Sequence, residues 1–307
     1  MAGKDAESAP SSPVGATKEA SSRPTISVVV GSSGSSSNLP NLLAALEPQL
    51  DGVEVLVCEA VPSPPEMRAA YPWARFIERR GLLVPELWRD GIDESSGEIV
   101  ALTIAPMIPA PDWVQQIRAE HRAHDAVGGA IDAGRRLRLA DWAEFFCRYS
   151  RDMPPFPPHE SDDVAGDNAA YKRELLEHGR EVYRDGFWEP VFHRRLHADG
   201  VALWHTPSVL VHQGRSAGAA AFVAQRLAHG RKYGHQRGAH FSRPRNLAGV
   251  LGAPLVPFVM TWRVLRRVFA KRRHRGRALL ALPLIVVFNL VWAGAEALGH
   301  ADMLRSR

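Results

Sequence analysis

Thr25-Ile-Ser-Val-Val-Val30, Val53-Glu-Val-Leu-Val-Cys58 and Glu98-Ile-Val-Ala-Leu-Thr103 are three apolar runs, rich in β-branched residues and short enough to be buried strands. Helical stretches separate them. Asn38-Leu-Pro-Asn-Leu-Leu-Ala-Ala-Leu-Glu47 offers Asn38 as a cap and Pro40 within the first turn. Helices are also expected over Val84–Ser95 and Asp112–His124, with further strands at Ala74-Arg-Phe-Ile77 and Ala126-Val-Gly-Gly-Ala-Ile131. This alternation predicts an α/β fold, with a mostly parallel sheet covered by helices on both faces. Ligands of such sheets sit beyond the carboxyl ends of the strands, so the loops after Val30, Cys58 and Thr103 are where chemistry is expected.

Beyond residue 140 the pattern becomes irregular. A Pro-rich loop, Met153 to Pro158, precedes the acidic run Glu160-Ser-Asp-Asp163. Tyr171–His178, Trp188–Ala198 and Ala217–Tyr233 read as helices, and Val201–Val211 as a strand broken by Pro207. No internal repeat is present.

The 307 residues suffice for one large domain with appendages. Residues 1–24 are rich in Ala, Ser, Pro and Gly and read as disordered; without an apolar stretch they do not form a signal peptide. Two cysteines, Cys58 and Cys147, cannot build a disulfide framework, which points to a reducing, cytosolic setting. The net charge of +5 conceals a sharp division. From Arg215 onward there are 17 Lys and Arg against two acids, Glu296 and Asp302, whereas the first 214 residues carry 21 against 31. An acidic body with a basic tail implies an anionic partner for the tail.

The order of short motifs across residues 25–240 resembles family-2 glycosyltransferases of the GT-A fold. Ser27-Val-Val-Val30 resembles the family's first strand, and Val55-Leu-Val-Cys-Glu59 places Glu59 where the family reads the donor base. Val84-Pro-Glu-Leu-Trp-Arg89, Gly97-Glu-Ile-Val-Ala-Leu102, Pro109-Ala-Pro-Asp-Trp113 and Ala126-Val-Gly-Gly129 follow in the family's order. So do Ala165-Gly-Asp-Asn-Ala-Ala-Tyr-Lys-Arg173, Gly186-Phe-Trp-Glu189 and Pro207-Ser-Val-Leu-Val-His212. The resemblance implies a nucleotide-sugar donor held by Val30, Glu59, Arg89, Thr103 and His212. It implies an acceptor beside Asp167, Asn168 and Trp188, and Glu189 as the catalytic base.

One departure is chemical. The family's Asp-x-Asp-like metal motif should follow Thr103, but the slot reads Thr103-Ile-Ala-Pro-Met107 and contains no carboxylate. Ile104 and Ala105 cannot ligate a hard divalent cation such as Mg²⁺ or Mn²⁺, so no metal ligand is assigned. Arg89, Arg215, Arg231 or His212 could meet the diphosphate charge instead. Asp162 and Asp163 read as a solvated charge run, and His229, His235 and His240 as part of the basic tail.

In the tail, residues 246–262 and 278–299 are strongly apolar and flank Lys271-Arg-Arg-His-Arg-Gly-Arg277. A two-span hairpin beneath a cytosolic domain would put this basic loop outside, against the positive-inside bias. A helical tail over 241–307 lying on the cytosolic face, its cations on anionic lipid headgroups, satisfies both constraints. Nucleic acid is not an expected partner, because the basic residues interleave with apolar runs rather than with a nucleic-acid-binding motif. The sequence therefore points to sugar transfer onto a lipid or glycan at a membrane. The alternative is a GT-A-like protein that binds a nucleotide or a partner without catalysis.

Overall fold

The structure is a computed structural model that describes residues 25–34, 38–215, 217–239 and 241–305; the stretch 1–24 and His240 lie outside the described residues. Among the described residues nine strands form one sheet: β1 (Ile26–Ser32), β2 (Val53–Glu59), β3 (Ala74–Glu78), β4 (Ile99–Ile104), β5 (Met107–Pro109), β6 (Ala126–Ala133), β7 (His159–Ser161), β8 (Asn168–Lys172) and β9 (Leu203–Gln213). Their order is β3-β2-β1-β4-β8-β6-β9-β5, with β7 pairing on β9. The parallel block β3-β2-β1-β4 matches the strands read from the sequence, and its registers place Val30 opposite Val57 and Thr103, with Gly31 opposite Cys58. The ends of β1, β2 and β4 therefore share one rim.

The expectation of a mostly parallel sheet needs correction: the sheet is mixed. Strand β8 lies antiparallel to both β4 and β6, and β5 and β7 run antiparallel to β9. Tyr171 and Lys172, expected within a helix over Tyr171–His178, instead belong to β8. Pairing on both edges overrides that local reading. Strand β9 absorbs Pro207 in a bulge: its register with β6 shifts between Gly129 and Ala130, so the residues around the proline need no ladder bond.

The helices are α1 (Leu39–Leu46), α2 (Pro65–Ala70), α3 (Val84–Glu94), α4 (Trp113–Glu120), α5 (Leu139–Tyr149), α6 (Arg173–His178), α7 (Glu189–Ala198), α8 (Ala219–Ala239), α9 (Arg243–Gly252), α10 (Val256–Lys271) and α11 (Arg275–Arg305). Helix α5 falls in the stretch read as irregular. Its Trp142, Phe145, Phe146 and Tyr149 are all buried at the spacing of one helical face, a signal present in the sequence.

The tail is packed onto the body. Helix α11 lies against α5 and α8, and its Ala278, Ala281, Ile285 and Phe288 join the same core as the sheet. The seam with α8 is made by glycines. Gly230, Gly234 and Gly238 recur every fourth residue along one face of α8, and Gly299 faces them from α11. A Cβ on Gly234 would stand 2.2 Å from the Glu296 carbonyl oxygen, and one on Gly299 2.2 Å from that of Arg231. The two backbones are in contact.

The turn between α10 and α11 is also bonded to the body. Lys271 donates to the carbonyls of Arg151 and Met153, and Arg273 donates to the Pro154 carbonyl and the Asp132 carboxylate, both at 3.0 Å. These two cations are thus committed to protein and not to headgroups, which narrows the expectation for the basic loop to Arg272, Arg275 and Arg277, all exposed. Both tail segments, 243–271 and 275–305, are long and apolar enough to cross a membrane. In this arrangement, however, they lie along the body. Their outer side carries Leu251, Leu255, Phe258 (74% exposed), Trp262 and Leu280.

Substitution separates the seam from ordinary helix glycines. Gly234→Ala should destabilise the protein by about 1–3 kcal/mol, because the helices must part. Gly276→Ala in α11, which meets nothing within 4 Å, should raise stability by about 0.4–1 kcal/mol. Denaturant melts of the two variants check both signs.

Candidate active site

Two adjoining cavities open beside the rim formed by β1, β2 and β4. The smaller, about 310 Å³, is lined by Gly31 and Ser33 after β1, Ile104, Ala105 and Pro106 after β4, the start of α3, and the first turns of α8. Trp88 of α3 anchors this corner, with its indole N–H donating to the Thr103 carbonyl at 2.8 Å. A Cβ on Gly31 would sit tightly against the Val84 and Trp88 side chains, at 3.1 and 3.2 Å. The larger cavity, about 760 Å³, runs between the body, α8, α9, α10 and α11. Val84, Arg148, Phe222, Gln225 and His229 line both, so the two spaces meet at Arg148 and His229.

Glu189 stands in the wall of the larger cavity at the first position of α7, where it accepts the Gly166 N–H at 3.2 Å. A Cβ on Gly166 would lie 2.5 Å from the Glu189 side chain, which would have to shift to admit it. Burial, with the charges of Asp167 and Asp163 adding to it, pushes the Glu189 carboxyl up to about 8, while its backbone hydrogen bonds only partly offset this. Asp167 accepts from Arg148 at 2.6 Å and from the Tyr149 hydroxyl at 2.5 Å. Burial opposes the charge on Arg148, but Asp167, Tyr149, Glu144 and Glu189 hold its guanidinium well above its ordinary value. Burial, then the charges of Arg148 and Arg226, push His229 down to about 4, so its ring is neutral at pH 7. Behind Asp163, His193 bonds its Nδ1 to that carboxylate and its Nε2 to the Tyr171 hydroxyl at 2.7 Å.

The sequence-predicted residues divide. Glu189, Asp167 and Trp188 line the larger cavity together. Asn168 does not: it is 1% exposed, donates to the carbonyls of Ala130 and Val209 at 2.8 and 2.9 Å, and accepts the Trp113 indole N–H at 2.8 Å. Its amide is consumed in holding β6, β9 and α4 together, so it is a structural pin. Val30 and Thr103 lie near the ends of β1 and β4, beside the expected rim, with both side chains fully buried. Glu59 ends β2 as expected. Its carboxylate is also fully buried and is held by Ser63 (N–H at 3.1 Å, and hydroxyl) and by Arg68 at 3.0 Å.

The expected cations lie elsewhere. Arg89 turns away from both cavities, donating to Asp90 at 2.7 Å and to the Arg184 carbonyl at 2.9 Å. His212 pairs in register with Ile108 and Asp132 and lines neither cavity. Arg231 is bound to Asp302 at 2.8 Å. Arg148 and His229 occupy the junction instead. The sequence held one signal for Arg148: it sits in the aromatic run of α5 that the periodicity reading passed over. His229 had none, because only the seam on α8 turns it inward.

The slot after β4 offers Ile104, Ala105 and Pro106, none of which fits a divalent cation, and Glu144 nearby faces Arg148 at 3.6 Å. Among the described residues no group of three or more His, Cys, Asp or Glu is placed to hold a metal ion.

A raised carboxyl is also a stability statement. With its folded value near 8 and an ordinary unfolded value, Glu189 has no effect below about pH 4 and destabilises progressively as pH rises to about 8. Glu189→Gln should therefore leave the melting temperature at pH 4 unchanged and raise it at pH 8. The difference corresponds to a few kcal/mol, at roughly 1.4 kcal/mol per unit of pKa. Thermal melts of both proteins across pH 4–9 check the crossover.

No family model and no curated protein matches the chain. Among solved structures, it is similar to a mannosyltransferase from Pyrobaculum calidifontis in complex with GDP-Man and Mn²⁺, at 18% identity over 92% of this chain and 88% of that one, with a TM-score of 0.49. It is also similar to a mycobacterial protein, at 17% identity over 68% of this chain and 73% of the other, with a TM-score of 0.45.

Proposed function

We propose that the protein is a glycosyltransferase that moves a sugar from a nucleotide-sugar donor to a hydroxyl of a lipid or glycan, on the cytosolic face of a membrane. The observation that carries this reading is Glu189, a carboxyl held near pH 8 in a cavity wall that adjoins a cleft at the carboxyl ends of β1 and β4. The donor would lie in the cleft with its diphosphate toward Arg148, the neutral His229 and the start of α3, whose terminal N–H groups favour an anion. The acceptor hydroxyl would enter from the larger cavity. Its oxygen attacks the anomeric carbon, the bond from that carbon to the diphosphate oxygen breaks, and the nucleoside diphosphate leaves with the electron pair. The proton passes to Glu189. The outward Leu251, Leu255, Phe258 and Trp262 support a membrane surface as the place of reaction.

The same slot favours a second reading. Without a carboxylate after Thr103, the fold could hold a nucleotide without turning it over. Calorimetry across UDP-, GDP- and TDP-sugars, with and without EDTA, combined with a product assay, separates the two. Donor affinity is expected to be unchanged by EDTA. Transfer should rise about tenfold per pH unit below about 8 and then level off, because Glu189 must be ionised to act. Glu189→Gln should reduce transfer by about 100-fold or more and leave donor affinity within about twofold. Tight binding without turnover for any donor would establish the non-catalytic reading, and a strong Mn²⁺ requirement would overturn the cation-free site.

A further inference from the structure

The larger cavity is more than a sugar needs. It extends from Glu189 along α8 to the inner side of α9 and α10, where Gly252, Ala253 and Val256 leave room that bulkier residues would close. On the opposite side of these same helices lie the exposed Leu251, Leu255 and Phe258. The cavity thus sits directly behind the apolar outer face. Its lining also has an excess of cations. Arg263 and Arg245 line it and form no ion pair with a carboxylate among the described residues. Arg151, in the same lining, divides itself between Asp152 and Asp163. Arg267, one turn from Arg263, is lowered by burial and by the neighbouring charges of Arg151, Arg263 and Arg266, with Asp152 the only acid opposing them. An anion bound beside Arg263 would meet cationic charge that no carboxylate neutralises.

We propose that this cavity binds a phospholipid whose headgroup carries free hydroxyls, with its phosphate on Arg263, a headgroup hydroxyl toward Glu189, and its acyl chains leaving past Gly252 to the apolar face. An anionic head and an apolar tail match, in order, the two kinds of wall along one continuous space. The role of the bound lipid as acceptor rests on the transfer reading above; the binding site itself does not.

The test is calorimetry on the full chain with dihexanoyl phosphatidylglycerol below its micelle concentration, against dihexanoyl phosphatidylcholine and against glycerophosphoglycerol, the same head without chains. One phosphatidylglycerol should bind per protein, at least about tenfold tighter than either comparator, since each lacks one of the two matched features. Arg263→Gln should weaken phosphatidylglycerol about tenfold, the scale of one charge-assisted contact. Gly252→Trp, where an added Cβ meets nothing within 4 Å, should obstruct the chains and weaken phosphatidylglycerol while leaving glycerophosphoglycerol unchanged. Unaltered melting temperatures show that both variants fold. Equal binding of the two lipids, equal binding of lipid and free head, or no effect of Arg263→Gln would each overturn the proposal. A protein that binds phosphatidylglycerol as described but transfers no sugar would sink the transfer reading and leave this site standing.

Discussion

The backbone contact between α8 and α11 is the constraint on which the rest of the molecule depends. Glycine inside a helix costs about 1 kcal/mol relative to alanine, and α8 carries Gly230, Gly234 and Gly238 in succession. As an isolated helix it is therefore poor. The contact compensates, because the two backbones close to within a distance that no side chain permits. Once closed, α8 roofs the cleft at the ends of β1 and β4, and one of its faces supplies Phe222, Gln225 and His229 to both cavities. Lys232, paired with Glu86 on α3, fastens that roof from the other side. Were α8 to stand off by the width of a methyl group, cleft and cavity would merge into open surface.

Electrostatics around Glu189 are set by the half-buried guanidinium of Arg148. Arg148 has Asp167 at 2.6 Å and Glu144 at 3.6 Å, and Asp167 is held further by Tyr149. Glu189 faces this arrangement with no cation of its own, since Arg148 is already bound to Asp167. Its carboxyl is consequently left to burial and to the repulsion of its acidic neighbours, which raise it to about 8. A carboxyl so placed weakens the fold near neutral pH, and retaining it is a cost that a proton acceptor would explain. Removing Arg148 would expose two buried acids to each other, a loss on the order of 3–5 kcal/mol, so its role in the fold cannot be divided from its place in the site.

Residues that look alike in sequence meet different fates in this frame. Asp167 and Asn168 are adjacent, yet Asp167, just before β8, lines the cavity, while Asn168, at the first position of β8, pins two strands and a helix. Arg89 and Trp88 divide in the same manner on α3: the tryptophan turns inward beneath Gly31, and the arginine turns outward to Asp90. Glu59 is where the strand pattern puts it, but Ser63 and Arg68, a few residues along the chain, close around its carboxylate.

The sequence by itself determined the strands β1 to β4 and the loops after Val30, Cys58 and Thr103 as the place for chemistry, the missing carboxylate at Ile104 and Ala105, and the acid placed at the start of α7. All of these are local, for periodicity, strand ends and helix starts are written within a few consecutive residues. Tertiary structure alone decided that β8 runs antiparallel, that Asn168 is consumed by the sheet, that Arg148 and His229 meet at the cleft, and that the basic turn is bonded to the body. Each of those is a pairing between residues tens of positions apart. The free energy of such a pairing lies in close approach and burial, for which a one-dimensional pattern has no coordinate.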